Sequence, residues 1–203
     1  MEQFTKSNTV HLVGTAAGRP SLSHECRGEA FYLLPLTVRR LSGTEDTLPL
    51  LLRRRQLETL EIGGEEKLRV CGELRSFNNR SGEGARLRLT VFVRTAAFGG
   101  GEDDNLVLLR GALCREPRLR RTPLGREICD LLLAVRRGYG RSDYLPCLCW
   151  GAAAREAALW PVGTRVRLAG RFQSRSYIKQ TPVGPEPRVA YEVSAAEIER
   201  EEE

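Results

Sequence analysis

The chain has 203 residues, 41% of them hydrophobic, and its 32 Lys and Arg outnumber 26 Asp and Glu for a formal net charge of +6. No apolar run approaches the roughly 18 residues of a membrane span, and Met1-Glu2-Gln3 lacks the basic and apolar regions of a signal peptide, so a soluble, cytoplasmic protein without a membrane partner is expected. The six cysteines form no CxxC pair. They fit a reducing compartment, with core packing rather than metal or redox work as their role.

One pattern is written twice. Asn8, Val10, Leu12, Gly14, Pro20 and Leu22 recur 97 positions later as Asn105, Val107, Leu109, Gly111, Pro117 and Leu119. The register continues with Val38-Arg39-Arg40 onto Val135-Arg136-Arg137 and Leu48-Pro49 onto Leu145-Pro146; after one inserted residue, Arg69, Gly72 and Ser76 match Arg167, Gly170 and Ser174. A period this long is a duplicated domain, not a solenoid unit. The expected domains are 1–98 and 105–198, joined by the Gly/acidic linker 99–104 and followed by an acidic tail, 199–203. Fifteen basic against eleven acidic residues give the first copy +4, and sixteen against eight give the second +8.

In chain order, the first copy carries Arg53-Arg54-Arg55 at the end of its third strand, Lys67, Arg69 and Arg75 on its fourth, and an outward Phe77. Phe77 to Gly84 reads as a hairpin, its tip either simply flexible or grasping a nucleic-acid backbone. It opens no helix, so it is no nucleotide cradle. The two histidines, His11 and His24, lie far in sequence from any carboxylate cluster and read as structural or surface residues.

The second copy gives strands over Asn105–Cys114, Glu127–Arg137 and Tyr144–Trp150, then a short helix over Ala152–Leu159 ended by Pro161 and Gly163. Two further strands, Thr164–Ser176 and Arg188–Ala195, flank a turn-rich Gln180–Pro187. Arg118, Arg120 and Arg121 fall between strands, as a solvated loop or a nucleic-acid contact. Three strands, a helix and two strands are the layout of an OB-fold. The fold class is thus all-β with short helices, as two tandem five-stranded OB barrels.

Strand parity then sorts the faces. Val166, Leu168, Gly170 and Phe172 point into the barrel, leaving Arg165, Arg167, Arg171, Gln173, Arg175 and Tyr177 outside. Likewise Leu145, Cys147 and Cys149 point in, and Tyr144, Leu148 and Trp150 point out. Aromatics among arginines form a stacking platform with a phosphate-binding rim, since each base has a π-face and each linkage a charge. Outward aromatics could instead cover a domain or subunit interface. Trp160, just before Pro161, reads as a plug at the barrel end.

Gly111, Leu113, Pro117, Arg120, Pro123 and Gly125, then Leu133-Ala134, Trp150-Gly151, Gly163, Val166, Leu168, Gly170 and Arg175 resemble in order the pattern of bacterial single-stranded DNA-binding proteins. Related primosomal OB proteins share parts of it. The resemblance implies base-stacking roles for Trp150, Tyr144, Tyr139 and Tyr177. Around them Arg136, Arg141, Arg165, Arg167, Arg171, Arg175, Arg120 and Lys179 are the expected strand-binding cations. By the repeat, Trp150, Tyr144, Tyr139 and Tyr177 correspond to Arg53, Thr47, Ser42 and Asn79, so the first copy has lost most of its stacking capacity. It keeps an auxiliary basic surface of Arg53, Arg55, Lys67, Arg69 and Arg75, which either lengthens the DNA path or belongs to a degenerate copy kept for assembly.

The implied function is low-specificity binding of single-stranded DNA in replication, repair or mobile-element transfer. A protein-interaction module and an RNA-binding protein are the alternatives. The family commonly assembles four OB folds, which implies a homodimer of tandem chains. Family members often end in an acidic tail with an apolar tip; here Glu199 to Glu203 has no such tip, which puts recruitment of replication proteins in doubt. No phosphate loop, metal-ligand spacing or catalytic elbow appears, so no enzyme, metal or cofactor is expected.

Overall fold

Alternation of apolar with polar residues runs through nearly every strand of the chain, and the structure, a computed structural model, describes residues 7–79 and 87–201. The first copy forms β1 (Asn8–Ala16), β2 (Ser21–Cys26), β3 (Glu29–Arg39), β4 (Glu45–Arg53), α1 (Arg54–Leu60), β5 (Lys67–Asn78) and β6 (Leu87–Phe98). The second forms β7 (Asp104–Leu113), β8 (Arg118–Arg121), β9 (Glu127–Arg137), β10 (Arg141–Trp150), α2 (Gly151–Ala157), β11 (Arg165–Thr181) and β12 (Gly184–Arg200).

Within the first copy the strand order is β2-β3-β4-β6-β5-β1, and β1 returns to β3 through Thr15↔Thr37 and Ala16↔Leu36, closing five strands into a barrel. The β4–β6 contact is parallel, Leu50 facing Val91 and Leu51 facing Phe92. The second copy repeats this plan as β8-β9-β10-β12-β11-β7 with β7 returning to β9 at Ala112↔Ala134. Here β10 and β12 are parallel, Cys147 facing Val193 and Leu148 facing Ser194. These are the two OB barrels expected from the element order. Each copy also has a sixth, short and fully exposed strand, β2 or β8, laid against β3 or β9. Arg118, Arg120 and Arg121 therefore sit on a strand and not in a loop.

On β10 and β11 the inward rows are the expected ones. Leu12, Leu34, Leu48, Leu50 and Val70 fill the first barrel, and Leu109, Leu133, Leu145, Val166, Leu168 and Phe172 the second, all essentially without solvent exposure. Burying each such side chain stabilises the fold by roughly 1.5–3 kcal/mol. Trp160 is 7% exposed beside the buried Ala154 and Ala157 of α2, in keeping with a plug at the barrel end.

Four glycines let strands approach where a side chain could not. A Cβ on Gly14 or Gly111 would fall inside contact distance of the carbonyl oxygen of Thr37 or Ala134; one on Gly72 or Gly170 would strike that of Phe92 or Ser194. Each copy also buries a carboxylate, Asp46 or Asp143, bonded by Arg40 or Arg137. Asp46 additionally accepts the backbone N–H of Ser174 at 2.8 Å.

One expectation gives way. The turn-rich Gln180–Pro187 is mostly strand, because β11 and β12 run 17 residues each and the turn narrows to the residues between Thr181 and Gly184. Proline is compatible with a strand wherever its missing N–H is not needed by a neighbour, so Pro185 and Pro187 do not end β12. In the linker, the Asp103 carboxylate accepts the Arg39 backbone N–H at 2.5 Å and binds the Lys67 ammonium. The tip of the hairpin expected after Phe77 lies outside the described residues, as do the last two residues of the acidic tail.

Contacts group the chain into two compact units. One is built on the second copy, Leu106–Phe172, with the chain ends as far as Thr9 and from Glu192 onward. The other is built on the first copy, Val10–Asn105, together with Gln173–Tyr191 of the long hairpin.

Candidate nucleic-acid interface

Register builds an outward face on β8, β9 and β10. Trp150 lies opposite Ile128, which lies opposite Arg120; two residues on, Leu148 faces Asp130, which faces Arg118, and at the other end Tyr144 faces Ala134 and Ser142 faces Arg136. Trp150 closes β10 and its indole Nε1–H donates to the Ser194 hydroxyl at 3.1 Å, leaving the ring 38% exposed. Leu148 shares that outward parity, yet it is buried. The indole reaches Ser194, the parallel-strand partner of Leu148.

Tyr144 is 48% exposed, and Tyr139 is fully exposed at a positive φ of 63° in the β9–β10 turn. Arg136 and Arg141 flank that turn and are exposed. Arg120 is bonded through both nitrogens to Asp130 at 2.6 and 3.0 Å, an ion pair that raises its already high pKa and holds the fork beside the Trp150 row. Arg165 and Arg171 are exposed on β11. Arg167 is half-buried and faces Glu199 at 3.3 Å and Glu201 at 3.6 Å, and Arg110 shares Glu201 at 2.7 Å. Its charge is thus partly met by the end of β12.

Tyr177, Arg175 and Lys179 belong to the hairpin segment grouped with the first copy, where the Arg175 guanidinium lies 5.6 Å from the Tyr177 ring centre. Gln173, expected outside, is buried.

On the first copy, Arg55 and Arg69 are exposed, whereas Lys67 is engaged by Asp103 and Arg75 by Glu73. Arg53 bonds Glu29 at 3.2 Å and lies 4.7 Å over the ring of Phe92. Arg94 at 5.0 Å and Arg75 at 5.8 Å approach the same ring, Phe31 lies 6.3 Å from it, and His24 stacks on Phe31 at 5.0 Å and 11°. This aromatic group was missed by comparing only the positions that match Trp150, Tyr144, Tyr139 and Tyr177. The outward parity of Phe31 with Arg39 on β3, and of Phe92 with Arg94 on β6, was the available signal.

A tandem pair of OB barrels with an exposed aromatic and arginine face defines the class of oligonucleotide-binding OB proteins. The sequence profile of the Single-strand binding protein family matches residues 104–200. Single-stranded DNA-binding protein B of Bacillus subtilis is 36% identical over 80 residues, a match covering 36% of this chain and 71% of that protein. The single-stranded DNA-binding protein of Halalkalibacterium halodurans is also 36% identical over 80 residues, and the chain spans about half of it, 48%. Among solved structures, the wild-type single-stranded DNA binding protein from Thermus aquaticus superposes with a TM-score of 0.73 at 26% identity, covering 97% of this chain and 93% of that one. The chain belongs to the single-strand binding protein family.

Proposed function

We propose that the protein binds single-stranded DNA with little sequence preference, chiefly through the second copy, as a non-enzymatic factor of replication, repair or mobile-element transfer in the cytoplasm. The observation that carries this reading is the outward face of β8–β10, where Trp150 and Tyr144 share one side of the sheet with Arg118, Arg120 and Arg136. Stacked bases contribute about 1–3 kcal/mol each and are read by their π-faces alone, so any base serves. Arg141 and Tyr139 extend the face at the β9–β10 turn, and Arg165, Arg167 and Arg171 offer phosphate contacts on β11. On the hairpin, Tyr177, Arg175 and Lys179 are proposed contacts in their own right. Pairing of two tandem chains into a four-barrel dimer completes the proposal, with domains bounded near 1–98 and 105–198.

The test is a fluorescence titration with oligothymidine, with duplex DNA as the control. Trp160 is buried, so quenching by an added strand reports on Trp150. Strong quenching, loss of affinity in Trp150→Ala and Tyr144→Ala with an unchanged thermal melt, and weak duplex binding are expected. Unchanged affinity in both variants would remove this face from the site. Competition with a matched RNA oligomer decides between the two polymers.

A further inference from the structure

The first copy has exchanged the seat of its aromatic residue rather than lost it. Leu50 and Leu51 on β4 face Val91 and Phe92 on β6, while their repeats Cys147 and Leu148 on β10 face Val193 and Ser194 on β12. Phe92 therefore occupies the place of Ser194. The glycines give the same equivalence independently, since the carbonyl closest to Gly72 is that of Phe92 and the one closest to Gly170 is that of Ser194. At the end of the preceding strand the roles reverse, with Arg53 where the second copy has Trp150. In the second copy a ring on β10 reaches a small hydroxyl on β12; in the first a guanidinium on β4 reaches a ring on β6.

We infer that Phe31 and Phe92, with His24 at the edge, form a second base-stacking site for single-stranded DNA on the first copy, with Arg53, Arg75 and Arg94 as its phosphate clamps. The inference rests on the proposed strand-binding role of the protein. Phe31 lies directly opposite Arg53 in the β3–β4 register, and Phe92 directly opposite Glu73 in β5–β6, so the group spans four adjacent strands on one outward face. Three guanidiniums surround one ring while two carboxylates, Glu29 and Glu73, hold them. The cluster keeps a surplus positive charge next to two half-buried rings, Phe31 and Phe92, with the exposed His24 at their edge, the complement of a base and its phosphate once the guanidiniums move aside.

A guanidinium over a phenyl ring in a partly solvated place is held weakly, and the same flat fork binds phosphate oxygens in two-point fashion. An incoming base displaces the arginine from the ring, and the arginine turns to the adjacent phosphate. Arg94, half-exposed and bonded to Glu73 at 3.0 Å, is the one most open to make that turn. Pyrimidines and purines both present a π-face to the rings, so the site adds length to the bound strand with little added sequence preference.

The test compares the full chain with Phe31→Ala/Phe92→Ala and with Trp150→Ala/Tyr144→Ala. Affinity and occluded length are measured by anisotropy on oligothymidine long enough to cover both copies, with circular dichroism and thermal melting as folding controls. The expected result for Phe31→Ala/Phe92→Ala is a loss of about tenfold in affinity and a shorter occluded length. Wild-type affinity and length in this variant, alongside a loss in Trp150→Ala/Tyr144→Ala, would overturn the second site and leave the proposed function standing. No binding by the wild-type chain would overturn both. The wild-type protein supplies a readout independent of variant folding: photocrosslinking to an oligomer carrying 5-iododeoxyuridine, followed by peptide mapping. Adducts on Phe31, Phe92 or His24 support the site, and adducts confined to the second copy refute it.

Discussion

The Cys147 and Cys149 thiols point into the second barrel, where burial raises both, Cys149 up to about 12. In the unfolded chain such thiols ionise near pH 8.5. Between that value and about 12 the unfolded state holds fewer protons than the folded one, so stability contributed by the protonated thiols falls as pH rises through this window and is fully present below it. Denaturation midpoints in urea should drop from pH 8 to pH 10, and Cys149→Ala should reduce the drop. In native alkylation at pH 8, Cys26, which is exposed, should react ahead of Cys129, Cys147 and Cys149. Alternation made these inward thiols legible in the sequence. It failed at Leu148 and Gln173, because period two assigns a face but says nothing about which neighbour covers it. Cys71 shows the complementary gap: its sulfur lies 3.1 Å from His11 Nδ1 across β1 and β5, a contact 60 residues distant that sequence proximity could not suggest.

At the scale of elements, most strands were legible from hydrophobic period and α2 from its alanine-rich run before Pro161 and Gly163, and the order of three strands, a helix and two strands fixed the barrel; α1 was not, since Arg54 and Arg55, expected with Arg53 at the end of a strand, open that helix. The short strands β2 and β8 were not legible. Every residue in them is exposed, so no alternation marks them, and their place comes only from pairing with β3 and β9. The long hairpin was misread for the opposite reason, as proline and glycine mask a ladder that tolerates them. Barrel closure depends on close strand approach, and Gly170 tests it. Gly170→Ala should destabilise the fold by about 1–3 kcal/mol, because its Cβ meets the Ser194 carbonyl of β12 and backbone cannot step aside cheaply. Gly138→Ala, in open space at an ordinary backbone conformation, should fall within about 0.5 kcal/mol of wild type. Chemical denaturation of the two variants measures the contrast.

The duplication is the feature of the whole molecule most plainly written in the chain, since a fixed offset survives through strands whose surface residues have diverged. The allotment of Gln173–Tyr191 to the first-copy unit was beyond sequence reasoning, because periodicity reports local faces and not which distant strands meet. Net charge is also a whole-molecule property, and it concentrates on the second copy. If that copy binds the strand, log affinity should fall linearly with log salt, by about 0.7 for each phosphate neutralised. Arg141→Gln should flatten that slope by about 0.7, whereas Arg167→Gln, whose guanidinium already faces Glu199 and Glu201, should change it less. Affinity measured over a series of salt concentrations decides both.

The matched glycines also say what a duplicated gene can and cannot explore. A tryptophan in one copy can stand as an arginine in the other, because both lie on the outward face and each finds its own partner there, Ser194 or Phe92. Gly14, Gly72, Gly111 and Gly170 have no such latitude, for any base change in a glycine codon is silent, stops translation, or installs a side chain. At these four codons no single base change replaces the glycine and keeps the same close strand approach, so divergence is channelled onto the faces that meet solvent and ligand.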